Sequence, residues 1–254
     1  MYDKIMESCR FLLNNFPEAR EVKNYLDNRL SEASQNKFQF GYFPNIFNLK
    51  TITDLVGEQE LRDSKLLFTK TIEDSLYPRT INELYFEYHP LVFPFKDAYG
   101  NIVGFVGRSL LSDEELKPMN LHKYKNTKFK KGQFLFGLYE CKQAILDAGL
   151  VYVVEGQFDA IKAWERGIQN VVALGTSSMS IYQFSLISRY TDNIILLLDN
   201  DEAGQKGRLL ITKKFGNLAN IQNWYIPKNY NDVDEYLTKE NITRYEDMSF
   251  IVTV

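Results

Sequence analysis

VYVVEGQFDAIKAWERGIQNVVALG, residues 151–175, sets two near-continuous apolar runs on either side of a helix-like segment. Apolar runs without polar alternation suit strands covered on both faces, and a helix between two such strands is the crossover of a parallel pair. The alternation continues downstream. Strands VYVVEG (151–156) and NVVALG (170–175) are followed by helix SIYQFSLISRY, strand NIILLLD (193–199), helix EAGQKGRLLITKKFG and strand NIQNWYIP (220–227). The expected fold is therefore α/β, a mostly parallel sheet with flanking helices. In such sheets the working residues sit just beyond the carboxyl ends of the strands.

Upstream the pattern differs. MESCRFLLNNF has apolar residues at helical spacing, and EVKNYLDNRL resumes after the break at Pro17, so two short helices are expected in the first 40 residues. Turn-like GYFPN and helical TITDLVGEQE follow, then LVFPFKDAYGNIVGFVGRSLL, which reads as a hairpin around Ala98-Tyr99-Gly100-Asn101. With a composition shift near residue 148, the expected organisation is a mixed α+β subdomain over 1–147, the parallel-sheet domain over 148–230 and a short helical extension over 231–254.

The 254 residues, 44% of them hydrophobic, suffice for a proper core. Cys9 and Cys141 lack C-x-x-C spacing, which excludes a disulfide framework and a four-ligand zinc site and points to a reducing, cytoplasmic compartment. Asp3, Lys4 and Glu7 spoil a signal peptide, and no run approaches the roughly 18 apolar residues of a membrane span, so a soluble protein is expected. The net charge of -3 is not that of a general nucleic-acid binder. Its distribution says more. KYKNTKFKK (123–131) holds five lysines and no acid, whereas 199–202 and 232–235 are acidic.

Glu155 and Asp199 close the first and third strands of the parallel set, with Asp159 one helical turn after Glu155 and Asp201 two residues after Asp199. Clustered carboxylates on strand ends suit a hard cation such as Mg2+, which prefers oxygen ligands and bridges protein acids to substrate phosphates. Asp232 and Asp234 follow the fourth strand and can add ligands. Each acid also has a plainer reading. DNDEAG serves equally well as a helix cap, Asp159 as a helix N-terminal acid, and Asp232 with Asp234 as a solvated turn. Glu155 tips the balance, because an acid closing a strand buried on both faces needs a partner.

The lysine run has the composition of a solvated loop, but its interleaved Tyr124 and Phe129 suit the stacking of unpaired bases beside neutralised phosphates. Arg108 follows two glycines and has the geometry to pair with a phosphate, or is a plain strand-end arginine. His89 and His122 lack a companion nucleophile and read as incidental.

EGQFD with downstream DNDEAG resembles the Toprim signature, an acid-Gly-x-x-Asp strand end paired with a D-x-D strand end. YLDNRLSEASQNKFQFGYFP, FPFKDAYGNIVGFVGRSL and KYKNTKFKKGQFLFGLY then resemble, in order, segments of the bacterial DnaG-type primase core. The resemblance implies a Toprim-type sheet and DNA-templated synthesis of short RNA primers by metal-dependent nucleotidyl transfer. It makes Glu155, Asp199 and Asp201 principal ligands of Mg2+ or Mn2+, with Asp159, Asp232 and Asp234 in support. Arg108, Lys123, Asn126 and Lys131 become contacts to template or nucleotide phosphates. Implied partners are single-stranded DNA, ribonucleoside triphosphates, a replicative helicase and a zinc-binding module in trans, with neither zinc nor membrane for this chain. The sequence departs from the family where YFEYHPLV replaces an arginine-rich stretch and where KYKNTKFKKG is short. It reads as a minimal catalytic core, from a phage or as a trimmed piece of a longer protein. Two other functions use the same residues: a Toprim metal-dependent nuclease, and an inactive single-strand-binding replication accessory.

Overall fold

The structure, a computed structural model, describes residues 1–72 and 79–253. Two units divide the chain, Met1–Phe95 with Ile102–Phe129, and Lys96–Asn101 with Lys130–Val254.

In the first unit, helix α1 (Tyr2–Asn15) buries Ile5, Met6, Cys9, Leu12 and Leu13, spaced as one helical stripe. A 3-10 turn at Pro17–Ala19 leads to α2 (Arg20–Asp27). Where two helices were expected there is a third, α3 (Glu32–Phe38), because Ser31 adopts an extended backbone and its hydroxyl caps Ser34 N at 3.3 Å. The turn-like GYFPN contains strand β1 (Gly41–Tyr42), on which α1 lies. A Cβ on Gly41 would stand 2.8 Å from the Cys9 carbonyl carbon, so only glycine admits the helix at that distance. Helices α4 (Leu49–Val56) and α5 (Glu58–Asp63) meet at Gly57, whose φ of 101° few side chains tolerate. Strands β2 (Leu67–Ile72) and β3 (Arg79–Leu84) pair antiparallel. A four-stranded sheet takes the order β1, β4 (Leu91–Lys96), β5 (Ile102–Arg108), β6 (Tyr124–Asn126), with the short helix α6 (Asp113–Leu116) between the last two. The hairpin expected around residues 98–101 is the one joining β4 to β5, closed by Asp97 N donating to the Asn101 carbonyl at 3.0 Å.

The second unit is the α/β layer. Helix α7 (Leu138–Ala148) precedes strand β7 (Val151–Val154), and α8 (Gln157–Glu165), β8 (Val171–Ala173), α9 (Ile181–Ile187), β9 (Asn193–Leu196), α10 (Glu202–Phe215) and β10 (Asn220–Tyr225) follow. The sheet order is β11 (Ile251–Thr253), β10, β9, β7, β8, and β8, β7, β9 and β10 are mutually parallel. All four side chains of β7 are buried, as an interior parallel strand requires. Helices cover this sheet through Leu138, Cys141 and Ile145 of α7, Phe184 of α9, and Ile211 and Phe215 of α10, the two phenylalanines stacked at 4.2 Å. Residues 231–254, expected to be helical, form α11 (Val233–Lys239) and then strand β11 (Ile251–Thr253), which pairs antiparallel with β10. Among the described residues no helix is long and apolar enough to cross a membrane.

Candidate functional site

Strand β7 leads through α8 to β8 on one side of it, while its other neighbour, β9, leads through α10 to β10 in the opposite direction. The winding therefore reverses between β7 and β9, and in open parallel sheets the crevice beyond two such strand ends is where ligands bind. Glu155 directly follows β7 and Asp199 lies just past β9. The Asp199 backbone N–H donates to Glu155 Oε1 at 3.4 Å. Asp201 caps α10, its Oδ1 accepting from Gly204 N at 2.7 Å, so the helix-cap reading holds for this acid. Asn200 turns away. Its amide donates to the carbonyls of Ile226, Pro227 and Tyr230, fixing the loop that leads to Asp232 and leaving the two aspartates around it for the crevice. Gly204 completes the corner, since a Cβ there would stand 2.2 Å from the Asp199 carbonyl oxygen and 2.9 Å from Glu155 Oε1.

The remaining acids join two helices. Asp159, in the first turn of α8, is buried and accepts from Gly156 N and from Asp234 N, both at 3.0 Å. Asp232 caps α11 through Glu235 N at 2.7 Å, and Asp234 is buried behind it, accepting from the Thr238 hydroxyl at 3.3 Å.

Burial first, and then the charges of Glu155, Asp232 and Asp201, push the Asp199 carboxyl up to about 7. Glu155 is raised by burial and by Asp201, and Asp159 is raised well above the usual range by burial, with Asp232 and Asp199 adding repulsion. Carboxylates held in a tension of this kind are relieved by a cation. Arg208 is the cation that lowers both Glu155 and Asp199. The donor set is all oxygen, which fits a hard divalent ion that keeps several waters and borrows phosphate ligands from its substrate. Among the described residues no group of three or more His, Cys, Asp or Glu side chains is already arranged to hold a metal ion. Cys9 and Cys141 are buried, one in each unit.

Three of the four expected phosphate contacts lie in the first unit. Arg108 ends β5 opposite Tyr124 of β6; its guanidinium bonds the Tyr124 hydroxyl and lies over the rings of Tyr124 at 4.9 Å and Tyr25 at 5.3 Å. Lys123 donates to the Leu111 carbonyl, and burial, followed by the charge of Arg108, holds its ammonium below the usual lysine range. Asn126 accepts from the Tyr85 hydroxyl through its main-chain carbonyl, while its side-chain oxygen is buried without a hydrogen-bond partner among the described residues. Lys131 belongs to the second unit, near Gly175, and is likewise lowered by burial. The two rings expected to stack on bases have internal work: Phe129 packs on Phe95 at 4.9 Å, and Arg108 covers Tyr124. His89 is buried against the His122 carbonyl at 2.8 Å, a structural contact.

Two family profiles match the chain, "DNA primase catalytic core, N-terminal domain" over residues 11–142 and "Toprim-like" over residues 152–237. The chain belongs to the DnaG-type DNA primase catalytic-core family.

All six acids of this primase-core chain lie within the Toprim-like span, and Arg108, Lys123, Asn126 and Lys131 within the other. A DNA primase of Aquifex aeolicus is 31% identical over 96% of the chain and 48% of the relative. One of Synechococcus elongatus is 30% identical over 91% and 34%. The chain thus spans about half the length, or less, of the curated relatives it matches. The zinc-binding and RNA polymerase domains of the Aquifex primase share its fold at a TM-score of 0.74 and 28% identity, over 98% of this chain and 60% of that one. A DnaG catalytic domain bound to single-stranded DNA matches at 0.72 and 25%, over 94% and 75%. Sequence reasoning about this primase core missed Arg208 and Gly204. A glycine three residues after the D-x-D pair was a usable signal, whereas an arginine inside a helix carried none.

Proposed function

We propose that the chain is the catalytic core of a DNA primase, joining ribonucleotides on a single-stranded DNA template into short RNA primers. The observation that carries this reading is the meeting of Glu155 and Asp199 at the switch point of the sheet, with Asp201 two residues on. In this reading Glu155, Asp199 and Asp201 hold Mg2+ or Mn2+, supported by Asp159, Asp232 and Asp234. An ion held by these acids would lower the pKa of the attacking hydroxyl and neutralise the leaving pyrophosphate. The 3'-hydroxyl of one ribonucleotide attacks the α-phosphate of the next, its oxygen forming the new bond as the bond to pyrophosphate breaks and its proton passes to solvent. Arg108, Lys123, Asn126 and Lys131 contribute phosphate contacts that position template and nucleotide. A replicative helicase and a zinc-binding module in trans would load the template, in a bacterial cytoplasm and from a chromosomal or phage gene.

Purified protein given single-stranded DNA, ribonucleoside triphosphates and Mg2+ or Mn2+ should make short RNA, and Asp199→Ala with Asp201→Ala should abolish it. Product surviving that double change would sink the metal assignment. Cleavage of the DNA with no ribonucleotide incorporated would point instead to a nuclease.

A further inference from the structure

Arg208 lies in α10, seven residues beyond the cap Asp201, on the face that also carries Gly204 and Gly207. These glycines thin the helix where it meets the sheet. A Cβ on Gly207 would stand 2.1 Å from the Ser177 carbonyl, and one on Gly204 would meet Asp199 and Glu155. The helix therefore sits close enough for the Arg208 side chain, only 2% exposed, to run beneath the acids. Its Nη1 donates to the Asp199 carbonyl at 3.1 Å; its Nη2 donates to the carbonyls of Leu198 at 2.6 Å and Trp224 at 3.1 Å. The guanidinium plane rests over Tyr225 at 4.4 Å, and its Nε–H is buried without a hydrogen-bond partner among the described residues.

Burying a guanidinium with its Nε–H unsatisfied is costly even with the Glu155 and Asp199 carboxylates nearby, and core packing alone would be served as well by an apolar side chain. What the arginine adds is shape. A planar fork ties the main chain just past β9 to the end of β10 and fixes the Asp199 peptide, from which the carboxylate springs. A lysine, a compact point charge with three rotatable donors on a flexible stem, does not offer that fixed planar fork to the three carbonyls.

We propose that Arg208 is a positioning residue for the acidic site, holding the Asp199 main chain so that Asp199 and Glu155 face the same cation. The inference rests on the proposed function, because it assumes that these acids bind a divalent ion. Groups that orient metal ligands typically affect affinity by about 10–100-fold when removed. The test uses Mn2+ alone, its free fraction followed by electron paramagnetic resonance. Arg208→Lys keeps the charge and loses the fork, so it should bind Mn2+ about tenfold or more weakly, while the core control Ile211→Val, on the same helix, should bind as the parent does. Arg208→Lys binding within about twofold of the parent would overturn the role, leaving Arg208 as a counter-charge only. Should the lysine variant fail to fold, the parent decides: the Arg208 guanidinium 15N resonances should shift on addition of Mg2+, and resonances that stay still would overturn the proposal. Failure of the underlying reading looks different. The parent would then bind no Mn2+ that Asp199→Ala removes, and the positioning role would fall with it.

Discussion

Asp199 couples the chemistry of the site to the stability of the fold. Burial and the neighbouring acids push its carboxyl up to about 7 in the folded chain from an ordinary aspartate value of 3.8, so between those values the native state keeps a proton that the unfolded state has released. The resulting stabilisation is complete below 3.8 and is lost as pH rises through about 7. Without divalent ion, Asp199→Asn should therefore melt above the parent near neutral pH and approach it in acid. Thermal melts in EDTA across that range test this, and a parent that outlasts the variant at neutral pH would refute it. Gly204 gives a second prediction. Alanine there forces a Cβ into the Asp199 carbonyl, so Gly204→Ala should cost about 1–3 kcal/mol, read by urea unfolding, and should weaken Mn2+ binding as well.

At the level of elements, helix caps and close approaches decide what the chain can do. Gly41→Ala would push α1 off β1, with an expected loss of about 1–3 kcal/mol visible as a lower urea midpoint at unchanged slope. The parallel strands were legible in the sequence because burial on both faces removes polar residues from them, as in Val151–Val154. The acids were legible as strand-end residues because Glu155 directly follows β7 and Asp199 comes three residues after β9. Other elements were hidden for physical reasons. Helix α3 depends on one hydroxyl, that of Ser31, and β1 and β11 are short segments whose partners lie far away in sequence. Arg208 was hidden because an arginine in an amphipathic helix reads as solvent-facing, and only the contact of α10 with the strand ends turns it inward. Phe129 has a contact that its setting in the sequence does not announce. An aromatic ring among lysines resembles a base-stacking platform until Phe95 is found against it.

Over the whole molecule, charge is segregated rather than abundant. The net charge of -3 coexists with the lysine segment 123–131, so single-strand binding should be weak at high salt and steeply salt-dependent. If Lys131 neutralises one phosphate, Lys131→Ala should lower the slope of log affinity against log salt by about 0.7, measured by fluorescence anisotropy on an oligonucleotide. An unchanged slope would remove Lys131 from the set of phosphate contacts.

The margins of the parallel sheet bear on how the protein behaves at high concentration. Exposed strand edges recruit other chains, and proteins blunt them with short or covering segments. Here β8 is met by an antiparallel bridge between Phe136 and Ala173, and β10 is covered by the three residues of β11. Stopping the chain before Ile251 would bare the β10 edge along Asn223–Tyr225. Such a shortened protein should keep its acidic site yet cluster in solution, with light scattering that grows with concentration where the parent's does not.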